Sequence, residues 1–389
     1  MKIYFFILNM YRALALKYRP QLLKDICGQR NIIKSLTFSL NNQKVHHAYL
    51  ISGMYGTGKT SLARIIAKSL NCENGVSANP CRKCKNCIAI EKGNFIDLME
   101  IDGGSRTKVE DMRDLLDNVQ YVNSEGRFKI YLIDEVHMLS NHSFNALLKT
   151  LEEPPKFVKF LLATTEINKI PMTIRSRCLQ LTLNQLSPTD IQERLANVLN
   201  LEKIEYENSA LKSIAQYSKG SMRDALGLTD QIITLSEANM LSENHVKDIL
   251  GTIDSKMIEK IIFLIAENNV SDLINYIKYL INCKKNPILI LDSIAEYFYI
   301  ATIYKIKNKI VEKKYENKST INLSRNYTLD DLQNCFNIII ESKKYIDLSP
   351  NYECALGMIF LKVCSYNSRS INDEIIKKNN DEVLKKKTL

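Results

Sequence analysis

The sequence predicts an α/β P-loop domain, a parallel sheet with helices on both faces. That domain carries a four-cysteine zinc insert and is followed by two all-α domains. Three observations predict it. A Gly-rich loop, Gly53-Met54-Tyr55-Gly56-Thr57-Gly58-Lys59-Thr60, stands between an apolar run, Ala48 to Ile51, and a segment of helical period, Leu62 to Lys68. Short apolar runs recur at 94–102, 129–133 and 160–165 and read as buried strands. From Ser187 onward the apolar spacing is helical.

The chain has 389 residues, enough for two or three domains with their own cores. Met1 to Met10 resemble a signal peptide only briefly. The six apolar residues Ile3 to Leu8 are too few for a signal core, no small-residue cleavage site follows, and Met10 is an alternative start. No other stretch reads as long and apolar enough to cross a membrane. Ten cysteines in one cluster plus singles argue for metal and reduced thiols rather than a disulfide scaffold, hence a cytoplasmic protein without a membrane partner. A net charge of +10 suits a polyanionic partner.

Leu14 to Asp25 has little helical period and is broken by Pro20; Asn31 to Leu40 reads as an amphipathic helix. Tyr18 and Arg19, ahead of the first strand, are candidate contacts for a nucleotide base. In the loop itself, glycines 53, 56 and 58 let the backbone curl so that successive N–H groups face phosphate oxygens. The positive end of the following helix strengthens that field. Lys59 is expected to reach the β- and γ-phosphates and the Thr60 hydroxyl to take a place on Mg²⁺. Gly53 to Thr60 are therefore the candidate nucleotide-binding residues.

Cys72, Cys81, Cys84 and Cys87 follow with the spacing C-x8-C-x2-C-x2-C. Four thiolates with two tight steps form a closed tetrahedral Zn²⁺ set with no open position for catalysis. Gly103 to Lys108 reads as a loop and Val109 to Val119 as an amphipathic helix. The run Lys129 to Ile133 ends in Asp134-Glu135, two acids at a strand tip. Asp134 is expected to hold Mg²⁺ through water, and Glu135 to orient and deprotonate the attacking water. The next run ends in Thr165, the candidate to sense the γ-phosphate or hold the lytic water. Arg177, in Ile174-Arg175-Ser176-Arg177-Cys178, is a candidate arginine finger.

Ser187 caps a helix with Pro188 at its first position. Gly220 to Leu226 opens another, where Arg223 is placed to reach back to phosphate. Beyond Gly251, helices are expected at 255–269, 270–282, 287–309 and 329–346, packed as a bundle. From Ser368 the polar composition predicts disorder. The domains read as 1–186 with the zinc module at 72–87, then 187–250, 251–368 and a tail, 369–389.

Taken together, the Gly53–Thr60 loop, the cysteine insert, D-E-V-H at 134–137, L-L-A-T-T at 161–165, S-R-C at 176–178 and G-S-M-R-D-A-L at 220–226 resemble the gamma/tau subunits of bacterial DNA polymerase III clamp loaders, which are AAA+ ATPases. Ser105 to Asp111 and Phe144 to Pro155 carry the resemblance further. It implies ATP on Gly53 to Thr60, zinc on the four cysteines, Arg177 acting on ATP of an adjacent subunit, and Arg223 as the arginine of the lid domain. It further implies a collar after Gly251 that assembles a five-subunit ring with other clamp-loader subunits, acting on a sliding clamp and primed DNA. Arg106 and Lys108 are then candidates to track DNA phosphates. Tyr55 stands where the family usually has arginine, and Gly103-Gly104 replace the usual alanines. The chain stops soon after the collar, as the short gamma form does. A delta-prime-like subunit often has a degraded P-loop, and a ring remodeller of other substrates is not expected to carry this zinc insert. A non-hydrolysing ATP-binding scaffold has no use for Asp134-Glu135 with Arg177.

Overall fold

The computed structural model describes residues 12–104, 125–235, 240–251, 253–307 and 318–366. The expected helix over 109–119, the candidates Arg106 and Lys108, and the tail from 369 lie outside them. The described residues form two compact units, divided between Glu243 and Asn244.

The first unit opens with one helical turn, α1 (Leu14–Lys17), and then α2 (Arg30–Asn41). The P-loop strand β1 (Ala48–Gly53) leads into α3 (Lys59–Asn71), and α4 (Lys85–Lys92) packs beside it. Then come β2 (Leu98–Asp102), β3 (Lys129–Asp134), α5 (Asn141–Glu152), β4 (Val158–Thr164), the short α6 (Met172–Arg175) and β5 (Leu179–Leu183). These strands form one sheet in the order β2-β3-β4-β1-β5, every neighbouring pair parallel. Alternation sends Tyr49 and Ile51 of β1 to one face, against Leu62, Ile66 and Leu70 of α3. Ala48 and Leu50 go to the other, with Phe144, Leu147 and Leu151 of α5. Burial on both faces explains the continuous apolar runs of β1, β3 and β4.

Two sequence expectations need correction here. The strand pattern from Asn94 becomes a strand only at Leu98, because Asp97 turns inward to accept N–H bonds from Glu125 at 2.7 Å and Gly126 at 2.6 Å. β5 was absent from the expectation altogether: only Leu181 and Leu183 of its five residues are buried, so it offers no apolar run.

The rest of this unit is α7 (Pro188–Glu202), capped by Ser187, then β6 (Glu205–Tyr206), α8 (Asn208–Tyr217), α9 (Met222–Leu235) and β7 (Met240–Leu241). The expectation of helix alone from Ser187 missed the two-residue parallel ladder β6–β7, too short to show a period.

In the second unit α10 (Glu243–Leu250), nearly all of which belongs to it, precedes α11 (Ser255–Ala266), α12 (Val270–Asn282), α13 (Pro287–Lys307), α14 (Lys318–Asn326), α15 (Leu329–Ser342) and α16 (352–366). The expected 329–346 helix gives way to a 3₁₀ segment at Lys343–Leu348, and the polar α14 was not foreseen. Among the described residues α13 is long and apolar enough to cross a membrane, contrary to the sequence reading. Ile290, Leu291, Ile294, Phe298 and Ala301 of this helix are instead buried in the unit's own core. A central core helix meets the same length and composition test.

Candidate nucleotide and metal sites

In a parallel sheet all C-terminal strand ends lie on one side, so the loops after β1, β3 and β4 converge. A cavity of about 430 Å³ opens there, lined by Tyr55 to Ser61, Asp134 and Glu135, by Tyr18 and Arg19 before β1, and by Arg194, Met222 and Arg223 of the helices that follow. Gly56 is in the left-handed region (φ 73°) beneath the start of α9: a Cβ there would lie 1.9 Å from Ser221 Oγ. Gly53 and Met54 do not line the cavity. Their carbonyls accept bonds from Lys59 Nζ at 3.1 and 3.2 Å, which holds the loop around the amine. Burial pulls the Lys59 pKa below its ordinary value, while Glu135 and Asp134 oppose the shift.

The Thr60 hydroxyl donates to Asp134 Oδ2 at 2.6 Å. Two hard oxygens this close, at the edge of the cavity, fit Mg²⁺. Glu135 is held in a left-handed turn (φ 46°) with its carboxylate facing Thr165. Thr165 donates to Glu135 Oε2 from its hydroxyl at 3.0 Å and its backbone N–H at 3.3 Å. Thr165 itself does not line the cavity, and in this arrangement it fixes the acid.

The sequence reading missed His137. The turn at Glu135 brings its Nδ1 to 3.3 Å from Glu135 Oε2 and 3.1 Å from Thr164 Oγ1, with Nε2 3.4 Å from Glu166. Its signal was the histidine of D-E-V-H itself. Arg194 was also missed; it lines the cavity and donates to the Tyr18 carbonyl at 3.2 Å. Arg19 donates to Ser61 Oγ at 3.1 Å, and burial first, then Arg64, lowers its pKa. Gly103 proves to be a close-packed position: its N–H donates to the Asp134 carbonyl at 2.8 Å, and a Cβ would meet the Glu135 carbonyl at 2.6 Å.

Arg177 is elsewhere. It pairs with Glu152 at the end of α5 and donates to the Thr173 carbonyl at 2.7 Å. It precedes β5, so it lies at the N-terminal side of the sheet, away from the cavity.

The cysteine tetrad is assembled at the far end of α3. The Sγ atoms of Cys72, Cys81, Cys84 and Cys87 all lie within 4.8 Å of one another. A tetrahedral zinc with bonds of about 2.3 Å separates its sulfurs by about 3.8 Å, so the residues fit the ion. Backbone N–H groups of Lys83 and Cys84 point at Cys81 Sγ at 3.5 and 3.3 Å and push that thiol's pKa down to about 6. Arg127 ties the insert to the sheet by donating to the Leu70 and Cys72 carbonyls at 3.0 and 3.1 Å.

The chain is similar to known families along most of its length. Residues 28–187 match the family "DNA polymerase III, delta subunit", 190–238 the "DNA polymerase III clamp loader subunit, ATPase lid domain", and 241–378 "DNA polymerase III subunits gamma and tau domain III". DNA polymerase III subunit gamma of Buchnera aphidicola is 43% identical over 368 residues, 93% of this chain and 99% of that one. Subunit tau of Escherichia coli is 57% identical over 233 residues, which are 60% of this chain but 36% of that longer protein. Among solved structures a Thermotoga maritima RuvB covers 64% of this chain and 80% of its own, at 23% identity and a TM-score of 0.47. Being 43% identical to a gamma subunit over nearly the full length of both, and with a lid domain and domain III matched in order, this chain belongs to the gamma/tau family of DNA polymerase III clamp-loader subunits.

Proposed function

We propose that this chain is an ATP-hydrolysing subunit of a cytoplasmic DNA polymerase III clamp loader, working in a hetero-pentameric ring to place a sliding clamp on primed DNA. The observation that carries the reading is the meeting of Lys59, Thr60, Asp134 and Glu135 at one cavity in a chain of this family. In this reading Gly53 to Thr60 cradle ATP and Arg223 faces its phosphates from the lid. Mg²⁺ on Thr60 and Asp134 supplies charge neutralisation for the phosphates. Glu135 orients the attacking water and takes its proton, and Thr165 keeps that carboxylate aimed. Residues 1–186 form the ATPase domain, 187–250 the lid and 251–368 the collar. The acidic pair speaks against a non-hydrolysing scaffold, and the gamma relatives speak against a delta-prime-like subunit.

The test is ATP turnover by the assembled loader with and without clamp and primed DNA. Turnover is expected to rise only with both, without regard to DNA sequence, and to fall steeply with salt, because contacts to phosphates release counterions. Turnover indifferent to clamp and DNA would sink the reading.

The zinc reading has its own outcome. One Zn²⁺ per chain is expected by metal analysis of protein purified under reducing conditions, and Cys84→Ser should lose it. The loss should loosen residues 72–92, seen as faster amide exchange, more than β1 and β3. Protein purified this way without zinc would exclude the site.

A further inference from the structure

The lid begins in direct contact with the P-loop. Met222 N–H donates to the Gly56 carbonyl at 3.2 Å, and Ser221 presses on Gly56 closely enough to exclude a side chain there. Beside this contact the Arg223 guanidinium carbon lies 5.3 Å from the centroid of the Tyr55 ring. Both residues line the nucleotide cavity, and Tyr55 is 53% exposed.

Arg223 shares that cavity with the cations Arg19, Lys59 and Arg194 and with the carboxylates Asp25, Asp134 and Glu135, which accept bonds from the Leu22 N–H, Thr60 and Thr165 respectively. With those carboxylates held by other groups, the cations around Arg223 repel it, and a flexible arginine in their company gains by swinging out to water. A carboxylate partner would hold it, but would compete with phosphate. An aromatic face attracts a guanidinium without offering a negative charge.

We propose that Tyr55 is a positioning residue for Arg223: its ring keeps the guanidinium in the cavity, so that the triphosphate meets a cation already in place. The idea rests on the reading of Arg223 as the phosphate-facing arginine of the lid. Pre-placement lowers the ordering cost of binding, so the gain appears in affinity for the ligand that Arg223 touches.

The test is a double-mutant cycle on the full chain, with ATP and ADP each displacing a fluorescent ADP analogue. Tyr55→Ala is expected to weaken ATP about two- to fivefold, the size of an exposed cation–π contact, and to change ADP less. Tyr55→Phe should restore ATP affinity, since it keeps the ring and removes only the hydroxyl. In an Arg223→Ala background Tyr55→Ala should cost nothing further. The proposal is overturned if Tyr55→Ala has no effect, weakens both nucleotides equally, or costs the same without Arg223. If Arg223→Ala by itself leaves ATP affinity intact, the phosphate-facing reading of Arg223 fails first, and the two failures are told apart.

Discussion

Lys59→Ala is expected to abolish ATP binding while the fold survives. The amine sits at the mouth of α3, nearly buried, with the Gly53 and Met54 carbonyls as its partners. Those carbonyls belong to a loop whose shape is also set by Thr57, which donates to the Met54 carbonyl at 2.8 Å, and by the lid contact at Gly56. Losing the amine therefore leaves the loop supported, and the substitution removes charge without opening the apolar core under α3. What is lost is the ligand. Two charge-assisted bonds to phosphate, at about 1.5–3 kcal/mol each, amount to roughly 3–6 kcal/mol, or about two to four orders of magnitude in affinity. Calorimetric titration with ATP, beside thermal unfolding without nucleotide, separates the two effects. Normal ATP affinity in the variant would remove the P-loop reading, and a collapsed melting temperature would remove the claim that Lys59 serves the ligand rather than the core.

The parts of this site that were legible in the sequence are those whose chemistry needs neighbouring residues. A phosphate cradle is built from one loop, so Gly53 to Thr60 are contiguous. A closed zinc set made of two tight steps keeps Cys81, Cys84 and Cys87 within seven positions. Asp134-Glu135 showed because a buried strand ended on two acids. Features created by tertiary packing did not show. His137 reaches Glu135 only because Glu135 takes a left-handed turn, and no periodicity encodes that. Arg194 comes from α7, far along the chain from the loop it faces. The Tyr55–Arg223 contact joins a P-loop residue to a lid helix and was visible in sequence only as an odd residue in a familiar loop. β5 failed for a different reason: as an edge strand with three of five residues exposed, it lacks the apolar run that identified its neighbours. α13 was read as a bundle helix over 287–309 and packs as one, although its length and apolarity also match a membrane span.

Arg177→Ala is expected to leave ATP affinity near normal and to remove most of the hydrolysis stimulated by clamp and DNA. The sheet register explains why. Tyr49 of β1 pairs with Leu179 of β5, and Gly53 with Leu183, so Arg177 is level with His47, six residues back from the P-loop. At about 3.3 Å per residue that is about 20 Å from the phosphate end of the sheet, far beyond an arginine's reach. If Arg177 acts on ATP at all, the ATP belongs to a neighbour in the proposed ring. Its pairing with Glu152 and the Thr173 carbonyl then fixes it for that encounter rather than sequestering it: the side chain remains one-third exposed. An arginine supplied in trans is worth roughly 10³–10⁵ in rate where a GTPase receives one from its activator. Glu135→Gln should fail differently, since it keeps the shape and hydrogen-bond reach of the acid but cannot take a proton; general-base loss costs about 10²–10⁴. Each variant alone puts one defect at every interface between two copies of this chain. Mixed rings of the two contain some interfaces where an intact Glu135 faces an intact Arg177, so part of the stimulated turnover should return. Equal inactivity of the mixture, in rings shown by mass to hold both variants, would mean that Arg177 does not act across the interface, and the trans mechanism would be lost.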